Sequence, residues 1–233
     1  YYVPRRAAAG LDPCATPQAY DNAKDFFDTG ITWSNSLNVA QMLDKSSYSI
    51  SLGNTHQDGI ISSTGMDRYN VKVSADTKLT NNWSSGFTAN YITTSIDKAV
   101  TSGNGLLRTV YAAPPSYDLA GIPSHVDGNP YTQNSFRGSF DNAYWAMDNN
   151  KFTEDTNRFF GNVYASYQTD FGTTNHKLNA KYMVGVDAYT THYVDSYGYG
   201  SNTGGGRGQI ENYGWTNATY NSLLTINYDW RIN

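Results

Sequence analysis

The chain has 233 residues and a net charge of -4 at pH 7, and charged side chains make up 15% of it, against roughly 25% in an average soluble protein. Aromatic residues are abundant, with 20 Tyr, 9 Phe and 5 Trp, while hydrophobic residues in total reach 39%. The negative balance argues against a nucleic-acid partner, because phosphate neutralisation needs clustered Lys and Arg. The single cysteine, Cys14, excludes an internal disulfide framework and a cysteine-based metal site. No apolar run reaches 18 residues, so the sequence predicts no transmembrane helix.

Residues 1–30 carry scattered Pro, Gly and Asp with little periodicity. They are therefore expected to form a loop or linker that leads into the first strand. The first residue is Tyr1 rather than an initiator Met, and no apolar segment follows the basic pair Arg5 and Arg6, so the pattern is not that of a signal peptide. The chain is expected to be a mature product or a piece of a longer protein.

Beyond residue 30 the side chains alternate between apolar and polar, as in strands with one apolar and one polar face. In the segment 67–79, Tyr69, Val71 and Val73 share one parity, while Arg68 and Lys72 share the other. The same alternation predicts seven strands, at 31–41, 46–57, 67–79, 83–93, 158–171, 176–190 and 218–232.

The predicted connections alternate between short turns and longer loops. Two long ones are expected at about 95–155, which is rich in Pro and Asn, and at about 191–217, which is rich in Gly and Tyr. Short turns at one end and long loops at the other are typical of outer-membrane β-barrels. The alternative is a soluble β-sandwich whose apolar faces pack against each other. Soluble strands average about five to six residues, which makes the sandwich the less favoured interpretation.

Several stretches resemble one family in the order in which that family shows them. These stretches are AYDNAKDFFDTG at 19–30, HQDGII at 56–61 followed by DRYN at 67–70, APPSYDL at 113–119, DNAYW at 141–145, NR and GN at 157–162, and GVD at 185–187. Together they resemble the barrel of SusC/RagA-like TonB-dependent outer-membrane transporters, over most of the range 19–233.

The resemblance implies a partial all-β fold, an antiparallel transmembrane β-barrel with about seven strands of a total near 22. It places residues 31–233 in the barrel of an energy-coupled importer in the outer membrane of a Gram-negative bacterium. The implied cargo is an oligosaccharide or a peptide. The implied partners are the remainder of the transporter with its plug and later strands, a SusD-like surface lipoprotein, the TonB complex and outer-membrane lipid. A passive porin or structural barrel and a soluble carbohydrate-binding β-sandwich are the alternatives.

The sequence contains no motif that indicates an enzyme, a cofactor or a metal site. The four His residues are far apart in the chain, and the Gly-rich run at 204–208 lacks the Lys that a phosphate-binding loop requires. Aromatic residues in the two long loops are the candidates for contact with cargo or with the lipoprotein, because their flat faces suit sugar rings and peptide side chains. These candidates are Tyr117, Tyr131, Tyr144, Trp145, Tyr193, Tyr197 and Tyr199. The alternative is that they pack the loops together.

In the barrel interpretation the apolar parity faces lipid and the polar parity faces the lumen. The residues expected to face the lumen are Arg68, Lys72, Asp76, Lys78, Arg158 and Lys181. An Arg in place of Val73 is expected to be costly, and one in place of Ser74 to be mild.

Overall fold

The computed structural model describes residues 1–100, 105–172 and 175–231. Seven antiparallel strands form one open sheet in the order β1-β2-β3-β4-β7-β8-β9, and β5 and β6 form a separate small hairpin. The strands are Thr32–Met42 (β1), Ser46–Asp58 (β2), Gly65–Lys78 (β3), Trp83–Lys98 (β4), His125–Val126 (β5), Asn129–Gln133 (β6), Lys151–Thr169 (β7), His176–Tyr199 (β8) and Arg207–Trp230 (β9). The chain is all-β, and within the described residues β1 and β9 are unpaired along their outer edges.

All seven predicted strands of the sheet are present, but several are longer than the sequence suggested. β8 runs to Tyr199 and β9 begins at Arg207, so the prediction of a long loop at 191–217 is wrong. A short turn takes its place, with a 3₁₀ segment at Thr203–Gly206 whose Gly204 and Gly205 have φ of 70° and 66°, values that glycine adopts without strain. Ile232, the predicted end of the last strand, lies outside the described residues.

Both faces of the sheet can be read from the register of the strands. One continuous row across all seven strands contains Leu37, Leu52, Val71, Tyr91, Phe159, Ala188 and Ala218. The next row toward the short turns contains Val39, Ile50, Val73, Ala89, Gly161, Val186 and Tyr220. These rows belong to what we call the apolar face, and Leu37 and Tyr220 on it are 59% and 77% exposed.

The opposite side, called the polar face, has a different composition. One of its rows contains Asn38, Ser51, Lys72, Asn90, Phe160, Asp187 and Thr219. The apolar face itself becomes polar one row beyond Leu37 toward the long connections, where Asn35, Asn54, Tyr69, Thr93, Asn157, Thr190 and Thr216 are aligned. The exposed apolar surface is therefore a band with a polar border.

The hydrophobic core of the chain lies outside the sheet. It is formed by residues 1–30 and 105–150, which we call the loop cluster, with the helices Pro4–Ala8 (α1), Asn22–Phe26 (α2), Leu106–Ala112 (α3) and Ala143–Asn149 (α4). Asn142 caps α4, because its side chain accepts hydrogen bonds from the backbone N–H groups of Tyr144 and Trp145. Val3 and Phe26 from the N-terminal segment pack with Val110 of α3 in one cluster.

Two expectations about these segments are corrected by the structure. Residues 1–30 are not a plain linker, because they form two helices and contribute to the core of the loop cluster. The span 95–155 is shorter as a connection than expected, since β4 extends to Lys98 and β7 begins at Lys151, and its middle is folded. Apolar residues spaced for short helices are hard to recognise in a stretch so rich in Pro and Asn.

Candidate functional site

A cleft lies on the polar face, at the end of the sheet with the long connections. It has a volume of about 780 Å³, and its walls are strand residues such as Thr32, Gln57 and Tyr197 together with the β2–β3 loop around Ile60. Each of these strand residues has the parity of the polar face. The cleft is therefore accessible from the polar side of the sheet.

An aromatic ladder continues the cleft along β8 and β9. Tyr193 and Tyr213 are directly opposite each other in the register, and their rings stack with centroids 5.0 Å apart and planes within 8°. Trp215 follows at a centroid distance of 5.2 Å from Tyr193. Tyr213 and Trp215 are 44% and 50% exposed, so the ladder presents ring surface to solvent. Rings presented in this way bind sugars, apolar groups and cations.

Charged side chains surround the ladder. The Lys98 ammonium lies 4.4 Å from the centre of the Tyr193 ring and 3.3 Å from the Glu154 carboxylate. Asp195 and Glu211 are directly opposite each other across β8 and β9. The Tyr213 hydroxyl donates a hydrogen bond of 3.2 Å to Asp195.

Two of the predicted contact residues are buried in the loop cluster. Trp145 is 0% exposed and donates a hydrogen bond of 2.8 Å from its indole nitrogen to the carbonyl of Pro130. Tyr117 is 9% exposed, and burial raises its pKa to about 12. Both side chains stabilise the loops, which is the alternative that the sequence left open, and neither presents a face to a ligand.

Tyr144 also belongs to the packing of the loop cluster. Its hydroxyl donates to the carbonyl of Asp25 at 3.2 Å, and its ring contacts Phe26 edge to face at 5.3 Å. Partial burial raises the pKa of Tyr144, and the nearby carboxylate of Asp25 raises it further. Its role is to attach the N-terminal segment to α4.

Of the other four predicted aromatic residues, Tyr193, Tyr197 and Tyr199 lie in the last part of β8, and Tyr131 lies in β6. Tyr131 and Tyr199 are both 60% exposed and meet edge to face at 5.7 Å. Tyr197 lines the cleft and contacts Phe152 at 5.0 Å, and Tyr193 belongs to the ladder. The structure therefore brings Tyr197 to the cleft and Tyr193 to the ladder beside it, while Tyr131 and Tyr199 contact each other.

The six residues predicted to face the lumen all lie on the polar face. Three of them, Arg158, Asp76 and Lys181, contact side chains of other strands. Arg158 donates two hydrogen bonds to Asp187, at 2.8 and 2.5 Å. The Tyr164 hydroxyl donates to Asp76 at 2.5 Å, and the Lys181 ammonium lies 4.0 Å from the Tyr164 ring. The remaining residues, Arg68, Lys72 and Lys78, have the same parity along β3.

Gly86 allows the contact between Tyr164 and Asp76. It lies between these two residues in the register, and a side chain at this position would overlap both of them. It would also come within 2.8 Å of the Ala75 carbonyl. The absence of a side chain lets the Tyr164 ring cross over the strand.

Asp141 connects the loop cluster to the turn between β8 and β9. It is 4% exposed and accepts hydrogen bonds from the Gln133 amide at 2.7 Å, the Ser201 hydroxyl at 2.6 Å and both the backbone and side chain of Asn202 at 2.7 and 2.8 Å. A buried carboxylate that is fully hydrogen bonded holds its partners in fixed positions. These hydrogen bonds therefore hold the loop cluster against the turn between β8 and β9.

Sequence reasoning missed Lys98, Asp195, Glu211, Tyr213 and Trp215 as members of the site. The signal was present, because the odd-numbered positions of β9 bring Glu211, Tyr213 and Trp215 to one face. It was weak, since beyond the apolar band both faces of a strand are polar and the contrast between alternate positions disappears.

A scan against protein-family models and a search of curated proteins both find no match for this chain. In the described ranges, no helix combines the length and the apolar character that a membrane crossing requires. No group of three or more His, Cys, Asp and Glu side chains is arranged to hold a metal ion in the part of the chain that the structure describes. The fold and the site therefore define an all-β chain with a large exposed apolar band and an aromatic, charged cleft on the opposite face.

Proposed function

We propose that this chain forms part of the wall of a TonB-dependent importer of the SusC type in the outer membrane of a Gram-negative bacterium. In this proposal the apolar face contacts lipid, and the polar face contacts a plug and the cargo, an oligosaccharide or a peptide. A SusD-like surface lipoprotein covers the end that carries the loop cluster, and the TonB complex supplies the energy for uptake. The family resemblance of the sequence supports the class of transporter.

The observation that carries the proposal is the exposed apolar band. The next row of the apolar face toward the short turns contains Tyr48, Phe87 and Val163. Strands are about 4.8 Å apart and successive same-face residues about 6.8 Å, so this row and the two above it cover about 700 Å² on seven strands. The largest apolar patch on a typical soluble monomer is about 300–600 Å². A contiguous surface of this size, bordered by a polar row, fits contact with a lipid bilayer.

The lengths of the strands support the same conclusion. A tilted strand needs roughly 9 to 11 residues to cross a membrane, and β4, β7, β8 and β9 have 16, 19, 24 and 24 residues. Trp83 and Tyr167 pack at 5.0 Å beside the short turns, which is the position of an aromatic girdle. The excess length at the other end, where both faces are polar, fits an extension beyond the bilayer.

The open edges support a larger barrel. β9 has 24 residues, and within the described chain no strand pairs with its outer edge. Proteins protect exposed edges with Pro, charge or bulges, and a barrel removes them altogether. β9 has no Pro and only three charged residues, Arg207, Glu211 and Asp229. We infer that further strands pair with β9 and β1.

The lipid contact is tested by quenching of tryptophan fluorescence with brominated lipids in vesicles. The variant Trp83→Phe is expected to lose a quenchable component, because Trp83 lies on the apolar face. The variant Trp215→Phe removes a tryptophan from the polar face and is the matched control. Equal losses of quenching for the two variants contradict the proposed lipid contact.

Energy coupling is tested by cargo uptake in cells with and without a functional TonB complex. An importer loses uptake of oligosaccharide or peptide when the complex is removed, whereas a passive porin retains it. Retained uptake would assign the chain to the porin alternative.

A further inference from the structure

The aromatic ladder has an excess of negative charge beside it, which favours a positively charged ligand. Asp195 and Glu211 face each other across β8 and β9, and like charges in directly opposed positions destabilise a sheet. Among the described residues, no Lys or Arg forms an ion pair with either carboxylate. Their side-chain partners are neutral, since Asp195 accepts from the Tyr213 hydroxyl and Glu211 from the Gln209 amide. A positive charge placed between these carboxylates would relieve the repulsion.

The Lys98 side chain already places a positive charge against the ladder. Its ammonium lies 4.4 Å from the centre of the Tyr193 ring and forms an ion pair of 3.3 Å with Glu154. Both side chains are partly exposed, at 32% and 27%, so solvent and ligand have access to the contact. An ammonium over a tyrosine ring is attracted by the negative face of the ring, and the attraction is modest where water has access. The contact is therefore weak enough to be displaced.

We propose that the aromatic ladder and its carboxylates bind a positively charged group of the cargo, an ammonium or guanidinium such as that of a basic peptide. Lys98 occupies part of this site in the absence of cargo and is displaced when the cargo binds. The rings of Tyr213 and Trp215 cover the apolar part of the side chain that carries the charge. This inference rests on the proposed function, since it names the cargo that passes the polar face, and it favours peptides over neutral oligosaccharides.

The direct test measures binding of trilysine to the purified protein by titration calorimetry, with fully acetylated trilysine amide and maltotriose as uncharged probes. Trilysine is expected to bind at least tenfold more tightly than either uncharged probe. The preference should weaken as salt rises, because exposed charges are screened. Equal binding of the three probes, or tighter binding of maltotriose, overturns the inference.

Two variants separate the roles of the charges. Lys98→Met removes the internal competitor and is expected to tighten trilysine binding about three- to tenfold, and Glu211→Gln is expected to weaken it by a similar factor. Matched controls are Lys177→Met on β8 and Asp229→Asn on β9, which lie on the same face as Lys98 and Glu211 but at the end of the sheet with the short turns. If Lys98→Met does not fold, Lys98→Gln serves the same purpose. Unchanged or weaker binding in the folded Lys98 variant contradicts the displacement.

The same samples distinguish failure of this inference from failure of the proposed function. Quenching of Trp83 by brominated lipid reports the membrane contact and does not depend on the cleft. Quenching without a preference for trilysine refutes the cation site alone. Absence of quenching refutes the membrane wall, whatever the cleft binds.

Discussion

The variant Val73→Arg tests the assignment of the two faces most directly. Val73 lies on the apolar face, between Ile50 and Ala89, and is five residues from Lys78, where β3 ends beside a short turn. At about 3.4 Å per residue and a tilt near 45°, Val73 is about 12 Å from that end, which is near the middle of an apolar band about 25 Å tall. An arginine at the midplane of a barrel wall costs about 2–4 kcal/mol.

Ser74→Arg is the matched control. Ser74 is the next residue of β3, is half-buried like Val73 and lies on the polar face, where it forms a hydrogen bond of 2.8 Å with Ser49. Loss of that hydrogen bond costs about 0.5–1.5 kcal/mol, and the guanidinium remains in contact with water. The free energy of unfolding is measured for both variants by urea titration of the protein in vesicles. Costs that agree to within about 0.5 kcal/mol would refute the assignment of the faces.

Four further changes probe the loop cluster and the polar face. Trp145→Ala removes a fully buried ring and is expected to cost about 3–5 kcal/mol, seen as faster hydrogen exchange across 105–150 while the strands stay protected. Asp141→Asn turns a buried acceptor into a donor that faces other donors, and a loss of about 1–3 kcal/mol should loosen the loop cluster and the 200–206 turn together. Gly86→Ala is expected to destabilise the sheet, whereas Ser84→Ala on the same face and strand should be nearly neutral in urea titration. Tyr117→Phe is expected to be neutral or stabilising by about 1 kcal/mol, because the buried hydroxyl has no hydrogen-bond partner among the described residues. Since burial raises the pKa of Tyr117 to about 12, the parent protein is expected to lose stability from pH 10 to about 12, and the variant should not show this loss.

The strands were predictable wherever one face was apolar and the other polar. β1 to β4 begin and end close to the predicted positions, with the largest difference at the end of β4, which reaches Lys98. The part of β8 after Thr190 and the part of β9 before Ala218 were not predicted as strand, although each strand continues there without a break. Periodicity reports the contrast between two environments, and this contrast is lost where water contacts both faces.

Burial in the loop cluster was the least predictable property. Trp145 and Tyr131 both lie in a stretch without regular alternation, yet one is 0% and the other 60% exposed. The difference comes from packing between segments far apart in the chain, such as Val3 and Phe26 against Val110. No pattern within the stretch itself encodes those partners, so aromatic composition predicted a binding role for residues that form a core.

The sequence by itself determined the all-β class, the number of strands in the sheet and the identity of the two faces, because side-chain alternation is a local property of the chain. The tertiary structure decided which residues form the site. The pairing of β8 with β9 brings Asp195 opposite Glu211 and Tyr193 onto Tyr213, and the side chain of Lys98 reaches the ladder from β4. Such contacts depend on strand register and on the direction of long side chains, which pairing fixes only after the sheet has formed.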